Sequence, residues 1–192
     1  RRLPPRERVV EVRLEAPADV DDIVVRYADG RREWIQAKTR VHMSSDAWNG
    51  MWSDLAAQFK RPEFAGEDRL ALVLGDTDET SRAIRDLAER AATAPHASEW
   101  TGRLSVRHKK VLSAVERALA GRVDALELFR RTTVEVLPLE EVERAFERRR
   151  LGTAFALPSR FLSVLRDIAG GGARRRALFL AGALRTRLAN DF

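Results

Sequence analysis

The 192-residue chain has no cysteine, which excludes disulfides and thiolate metal sites. Their absence fits a reducing, cytoplasmic setting. Long apolar runs are also missing. The stretch 177–184 falls well short of the roughly 18 residues a membrane helix requires, and it ends at Arg185. No secretory leader is visible, so a cytoplasmic protein with no membrane partner is expected. The triple glycine 170–172 is not followed by Gly-Lys-Ser/Thr, so it is no P-loop, and any ATPase must lie outside this chain. No Ser-His-Asp or Cys-His nucleophile set stands out, and His96 and His108 lack metal-ligand spacing. Lysine is scarce: of 35 basic residues only Lys38, Lys60, Lys109 and Lys110 are lysine. A lysine inside a short strand is therefore informative.

Apolar residues make up 44% of the chain, enough for a sizeable core. The formal charge is +6, with a pI near 10.6. That balance favours encounters with polyanions, nucleic acid first. The arginine and alanine bias is equally that of a GC-rich genome. The runs Arg148-Arg149-Arg150 and Arg174-Arg175-Arg176 are accordingly read as solvated helix faces.

Patterning predicts strands at Val9–Leu14, 22–27 and 33–38, then a helix over 44–60 capped by Ser45 or Asp46. In that helix Trp48, Met51, Trp52, Leu55 and Phe59 recur at three- and four-residue spacing and are assigned to the core rather than to base stacking. Arg69–Leu74 reads as a buried strand and 77–92 as a helix. Beyond Pro95 the pattern is mainly helical, over 107–120, 123–131, 139–150, 159–169 and 174–189, with one short strand at 133–137. The expected architecture is α/β, a mixed sheet flanked by helices over 1–95, with a mainly helical C-terminal extension over 96–192.

The segment 18–39 carries the chemistry. It reads as two strands joined by a tight Asp-Gly turn, with acidic residues heading the first and Gln36-Ala37-Lys38 ending the second. Side chains alternate along a strand, so Gln36 and Lys38 share a face. A two-residue turn would set Asp21 opposite Lys38. A three-residue loop 28–30 would set Asp22 opposite Gln36, with Lys38 on the diagonal. Either arrangement puts a carboxylate, an amide oxygen and an ammonium together. Oxygen ligands of this kind suit Mg²⁺ or Mn²⁺, and a lysine beside them can orient water, deprotonate it as the neutral amine, or as the ammonium offset negative charge in phosphodiester cleavage.

Glu15, the run Asp21-Asp22-Ile23-Val24-Val25 and the run Trp34-Ile35-Gln36-Ala37-Lys38 resemble the PD-(D/E)XK nuclease superfamily. More narrowly, residues 9–95 resemble the N-terminal DNA-cutting domain of bacterial antiphage effectors: CBASS nucleases fused to SAVED sensors, and nucleases linked to NACHT-like STAND ATPases. The resemblance implies a restriction-endonuclease-like fold. It implies that Asp22 is the metal-binding aspartate, Gln36 the E/Q position and Lys38 the catalytic lysine. Glu15 and Asp21 would assist at the metal. Independently of the resemblance, Arg40 and His42, which follow the lysine strand, are the candidate nucleic-acid contacts, a solvated loop histidine being the plainer reading of His42. The superfamily's first helix would precede the first strand, so the sequence is expected to be a piece of a longer protein. The implied activity is Mg²⁺- or Mn²⁺-dependent, weakly sequence-specific hydrolysis of double-stranded DNA. A sensor or STAND ATPase region outside this chain, and assembly into a homo-oligomer, would switch it on. A catalytically inert module of the same fold, binding nucleic acid or mediating assembly, is the rival expectation.

Overall fold

Gly30 closes the first hairpin. Its φ of +91° lies in the region that side chains with a Cβ rarely adopt. Its N–H donates to the Tyr27 carbonyl at 3.0 Å, while the Tyr27 N–H donates to the Arg31 carbonyl at 2.9 Å. The loop is thus the three-residue form, 28–30. Strand β2 (Ile23–Tyr27) pairs antiparallel with β3 (Arg32–Lys38), Ile23 against Ile35 and Val24 against Trp34. This register continues to position 22 opposite position 36. The structure, a computed structural model, describes residues 8–15, 19–20, 22–64, 66–138, 178–183 and 186.

Strand β1 (Val9–Leu14) completes an antiparallel meander with β2. The chain then changes mode. Helix α1 (Asp46–Lys60) carries it back across the sheet to β4 (Arg69–Leu74), which lies parallel to β3. Ser45 caps α1 by accepting the Trp48 N–H at 3.1 Å. Helix α2 (Glu79–Thr93) follows, capped by Asp78, and then α3 (Ala97–Thr101), α4 (Val106–Leu119) and α5 (Ala125–Arg130). Strand β5 (Thr132–Val136) adds parallel to β4. A short strand β6 (Leu178–Leu180) pairs antiparallel with β1 at the other edge. The sheet order is β5-β4-β3-β2-β1-β6. This is a mixed α/β sheet with helices, as the pattern of elements implied.

The core fills the space between one sheet face and the helices. Trp34, Leu70, Leu72 and Leu74 from the sheet meet Trp48, Trp52 and Leu55 of α1, Ile84 and Leu87 of α2, Val111 and Val115 of α4, and Phe129 of α5. Trp52 and Phe129 rings lie 5.4 Å apart, and Trp100 and Phe129 rings 5.5 Å apart. Elements from both sides of residue 95, the expected boundary between nuclease-like domain and extension, therefore share one sheet and one core. Trp48, Met51, Trp52 and Leu55 are buried as assigned, while Phe59 is half-buried against the core.

Two expectations need correction. The helix expected over 174–189 is interrupted, because Leu178–Leu180 form strand β6. An apolar run this short fits strand or helix equally by pattern, and the open edge of β1 decides it by supplying backbone partners. Helix α3 was not anticipated; five residues carry too little periodicity to read, and Trp100 anchors it by donating Nε1–H to the Leu87 carbonyl at 2.9 Å. The helices expected over 139–150 and 159–169, the triple glycine and both arginine triplets lie outside the described residues. Among the described residues no helix is long and apolar enough to cross a membrane.

Candidate functional site

The candidate site forms where β3 has an antiparallel partner on one side and a parallel partner on the other. Directly paired residues point to the same face. Val24 and Trp34 are such a pair, so Asp22, Gln36 and Lys38 lie on the helix-covered face with them. On the other side of β3, Gln36 pairs with Leu72 and Lys38 with Leu74. The neighbouring strand thus presents apolar side chains on that flank.

Asp22 sits just before β2, and its carboxylate reaches across to β3. Its Oδ2 accepts the Ala37 N–H at 2.7 Å, which pins the carboxylate beside Gln36. The Asp22 carbonyl accepts the Glu15 N–H at 3.0 Å, so Glu15 follows β1 immediately alongside Asp22. Glu15 holds a φ of 49°, uncommon for a residue with a side chain, where the chain leaves the strand. Asp21, the other acidic candidate, lies outside the described residues.

Gln36 is only 2% exposed. Its Nε2 lies 3.5 Å from Asp54 Oδ2 on α1, and its Oε1 is buried without a hydrogen-bond partner among the described residues. Buried amide oxygens nearly always find a donor; this one, like both ends of the Gln58 amide, has none among the described residues. Lys38 is half-buried at the end of β3, and its ammonium makes no hydrogen bond or ion pair with the described residues. Its carbonyl accepts the Gly75 N–H at 2.9 Å. A Cβ at Gly75 would come within 3.1 Å of the Thr39 carbonyl oxygen and 3.2 Å of its Cα. Glycine there lets the end of β4 close against the residue that follows Lys38.

The loop leaving Lys38 carries the two expected DNA-contacting residues. Arg40 is largely exposed and pairs with Asp76 at 3.0 Å, tying this loop to the one after β4. His42 is exposed, and its carbonyl accepts both the Ser45 N–H and the Ser45 hydroxyl. Val41 between them is buried and fastens the loop to the core. Lys38, Arg40 and His42 therefore border the same end of the parallel strands.

Sequence reasoning missed Asp54. It lies three residues after Met51 and four before Gln58, both buried, so it belongs to the inward stripe of α1. An acidic residue on the same helix face as Met51 and Leu55 was the available signal. Sequence reasoning also found no Ser-His-Asp set, whereas Ser105, His108 and Asp86 do meet in space. Ser105 Oγ lies 2.6 Å from His108 Nδ1, and His108 Nε2 lies 3.4 Å from Asp86 Oδ2. That serine is the N-cap of α4 and also accepts the His108 N–H at 3.2 Å. The trio locks a helix start.

A divalent cation would fit the main cluster. Asp22 Oδ1 is not engaged by Ala37, Gln36 Oε1 lacks a donor, and both are hard oxygen atoms. Among the described residues no three Asp, Glu, His or Cys side chains converge as a cage. A cation held here would take its remaining ligands from water and substrate. No protein-family model matches the chain, and no curated protein and no solved structure matches it either.

Proposed function

We propose that this chain is a metal-dependent DNA endonuclease domain of the PD-(D/E)XK kind, serving as the effector part of a bacterial antiphage defence protein. The observation that carries the reading is the strand register, which brings Asp22, Gln36 and Lys38 to one face at the end of β3. The resemblance of these residues to the superfamily's motif supplies the chemistry. Asp22 and Gln36 Oε1 would hold Mg²⁺ or Mn²⁺, which when bound acidifies water and offsets charge on the phosphate. Lys38 would orient the attacking water and, as the neutral amine, take up its proton; the ammonium so formed would stabilise negative charge as the bond to phosphorus forms. The phosphorus–oxygen bond to the leaving sugar breaks, and that oxygen takes up a proton from solvent water. Arg40 and His42 would hold the flanking backbone. The net charge of +6 would supply binding that is indifferent to sequence and weakened by salt. A sensor or STAND ATPase region outside residues 1–192, with assembly into an oligomer, would provide the activation.

The test is incubation of the chain with double-stranded plasmid DNA and Mg²⁺ or Mn²⁺, beside Lys38→Ala. Metal-dependent degradation should disappear in the variant while its thermal unfolding is unchanged. Equal cleavage by both proteins would remove Lys38 from the site.

One observation favours the inert alternative. Gln36 is neutral and almost wholly covered, as a structural residue would be. An inert module predicts salt-dependent DNA binding with no divalent-cation uptake and no cleavage at any protein concentration.

A further inference from the structure

The side-chain amide of Gln36 has a donor end and an acceptor end, and the chemistry of the site depends on which end faces the cation. We propose that Asp54 is a positioning residue: it draws the Gln36 NH₂ toward α1 and so turns Oε1 toward the cation site. The inference rests on the metal-dependent reading above and deepens it.

Three observations support it. Gln36 Nε2, not Oε1, stands 3.5 Å from Asp54 Oδ2. An ionised carboxylate only accepts hydrogen bonds, so it attracts an amide NH₂ and repels an amide oxygen. Gln36 Oε1 is buried with no donor, on a residue only 2% exposed. A cation supplies the partner that oxygen lacks, and Asp22, opposite in the register, supplies the neighbouring carboxylate. The same geometry gives a reason for a neutral residue at position 36. Gln36→Glu would set a second carboxylate close to that of Asp54. Gln36 and Asp54 thus work as a pair, with the amide taking the carboxylate's usual place as an oxygen ligand.

The test is a double-mutant cycle on cation affinity, read by calorimetric titration of Mn²⁺ into the full chain at one fixed pH. The proteins are wild type, Asp54→Asn, Gln36→Glu and the double variant. An asparagine at 54 can donate or accept, so it no longer selects one end of the Gln36 amide. Asp54→Asn should weaken Mn²⁺ binding about fivefold to tenfold, the equilibrium equivalent of one lost hydrogen bond. In the Gln36→Glu background the same change should cost much less, because a carboxylate has no wrong end to present. Equal weakening in both backgrounds would show that Asp54 acts as a ligand or a remote charge, and would overturn the proposal. No weakening in the wild-type background would overturn it as well. Failure of wild type to take up Mn²⁺ at all would overturn the metal-site reading, and this inference with it. A second readout needs no metal: the side-chain NH₂ resonance of Gln36 should move in Asp54→Asn, and an unmoved signal would count against the contact.

Discussion

Tyr27 is the chain's single tyrosine, and it reports on the hairpin that carries the site. Its hydroxyl donates to Glu33 Oε2 at 2.8 Å, and the Arg31 guanidinium lies 3.9 Å from the ring centre. Burial, reinforced by Glu33, raises its pKa above the ordinary 10.0. The folded state thus favours the protonated phenol. The stabilisation is fully present below the unfolded value and is lost as pH rises through the higher folded value. Titration of tyrosinate absorbance in the native protein should give a midpoint above 10.0, and Glu33→Gln should bring it part of the way back. A native midpoint at the unfolded value would contradict the packed hairpin. Asp22, Gln36 and Lys38 were legible in the sequence because a period of two and one Asp-Gly turn constrain them to a few residues of chain. Asp22 and Asp21 could not be separated from pattern alone, since the choice turned on whether the loop held two residues or three. Asp54 was not legible as a partner of Gln36, because their meeting depends on how α1 lies across the sheet.

Helix α1 and the β4 terminus show what elements contribute to the site beyond their own side chains. Gln58 on α1 is fully buried, and neither end of its amide has a hydrogen-bond partner among the described residues. An amide buried in this way costs about 1–3 kcal/mol relative to an apolar group of similar size. Gln58→Met should therefore raise stability by a comparable amount, seen as a higher denaturant midpoint at unchanged slope. A loss of stability would mean that the amide is satisfied in solution. Gly75 makes the opposite case. A methyl group there meets the backbone of Thr39, so Gly75→Ala should cost about 1–3 kcal/mol through overpacking. Because Gly75 also donates to the Lys38 carbonyl, the proposed DNA cleavage should fall more than the stability loss explains. Proportionate loss of both would show that the contact is only structural. At this scale β1 and β4 were readable from their runs of β-favouring apolar residues, and α1 from its long, capped apolar pattern. Strand β6 was not, because three apolar residues say nothing about which backbone they will pair with.

Long-range pairing is what joins the two halves of the molecule, and it leaves almost no trace in local pattern. The strand near 133–137 was readable, and so were the helices around it, yet their membership of the same core was not. Strand β5 lies parallel to β4, with Leu72 against Val134 and Leu74 against Val136. The Leu70 N–H donates to the Arg131 carbonyl at 2.8 Å, and the Leu137 N–H to the Leu74 carbonyl at 2.8 Å. On the helix side, Trp48 donates its indole N–H to the Ala114 carbonyl at 3.3 Å, and Trp52 packs on Phe129. A fragment of residues 1–95 would keep every residue of the candidate site but lose these contacts. It would expose Trp48 and Trp52 and leave the apolar β4 as an open edge, a template for aggregation. The fragment should therefore aggregate or lack the near-ultraviolet circular dichroism of packed tryptophans, and it should bind Mn²⁺ far more weakly than the full chain. A soluble fragment with native dichroism and native cation affinity would show that the first 95 residues hold the site unaided. The opposite result would mean that the apparatus at the end of β3 depends on helices and a strand placed after it in the chain.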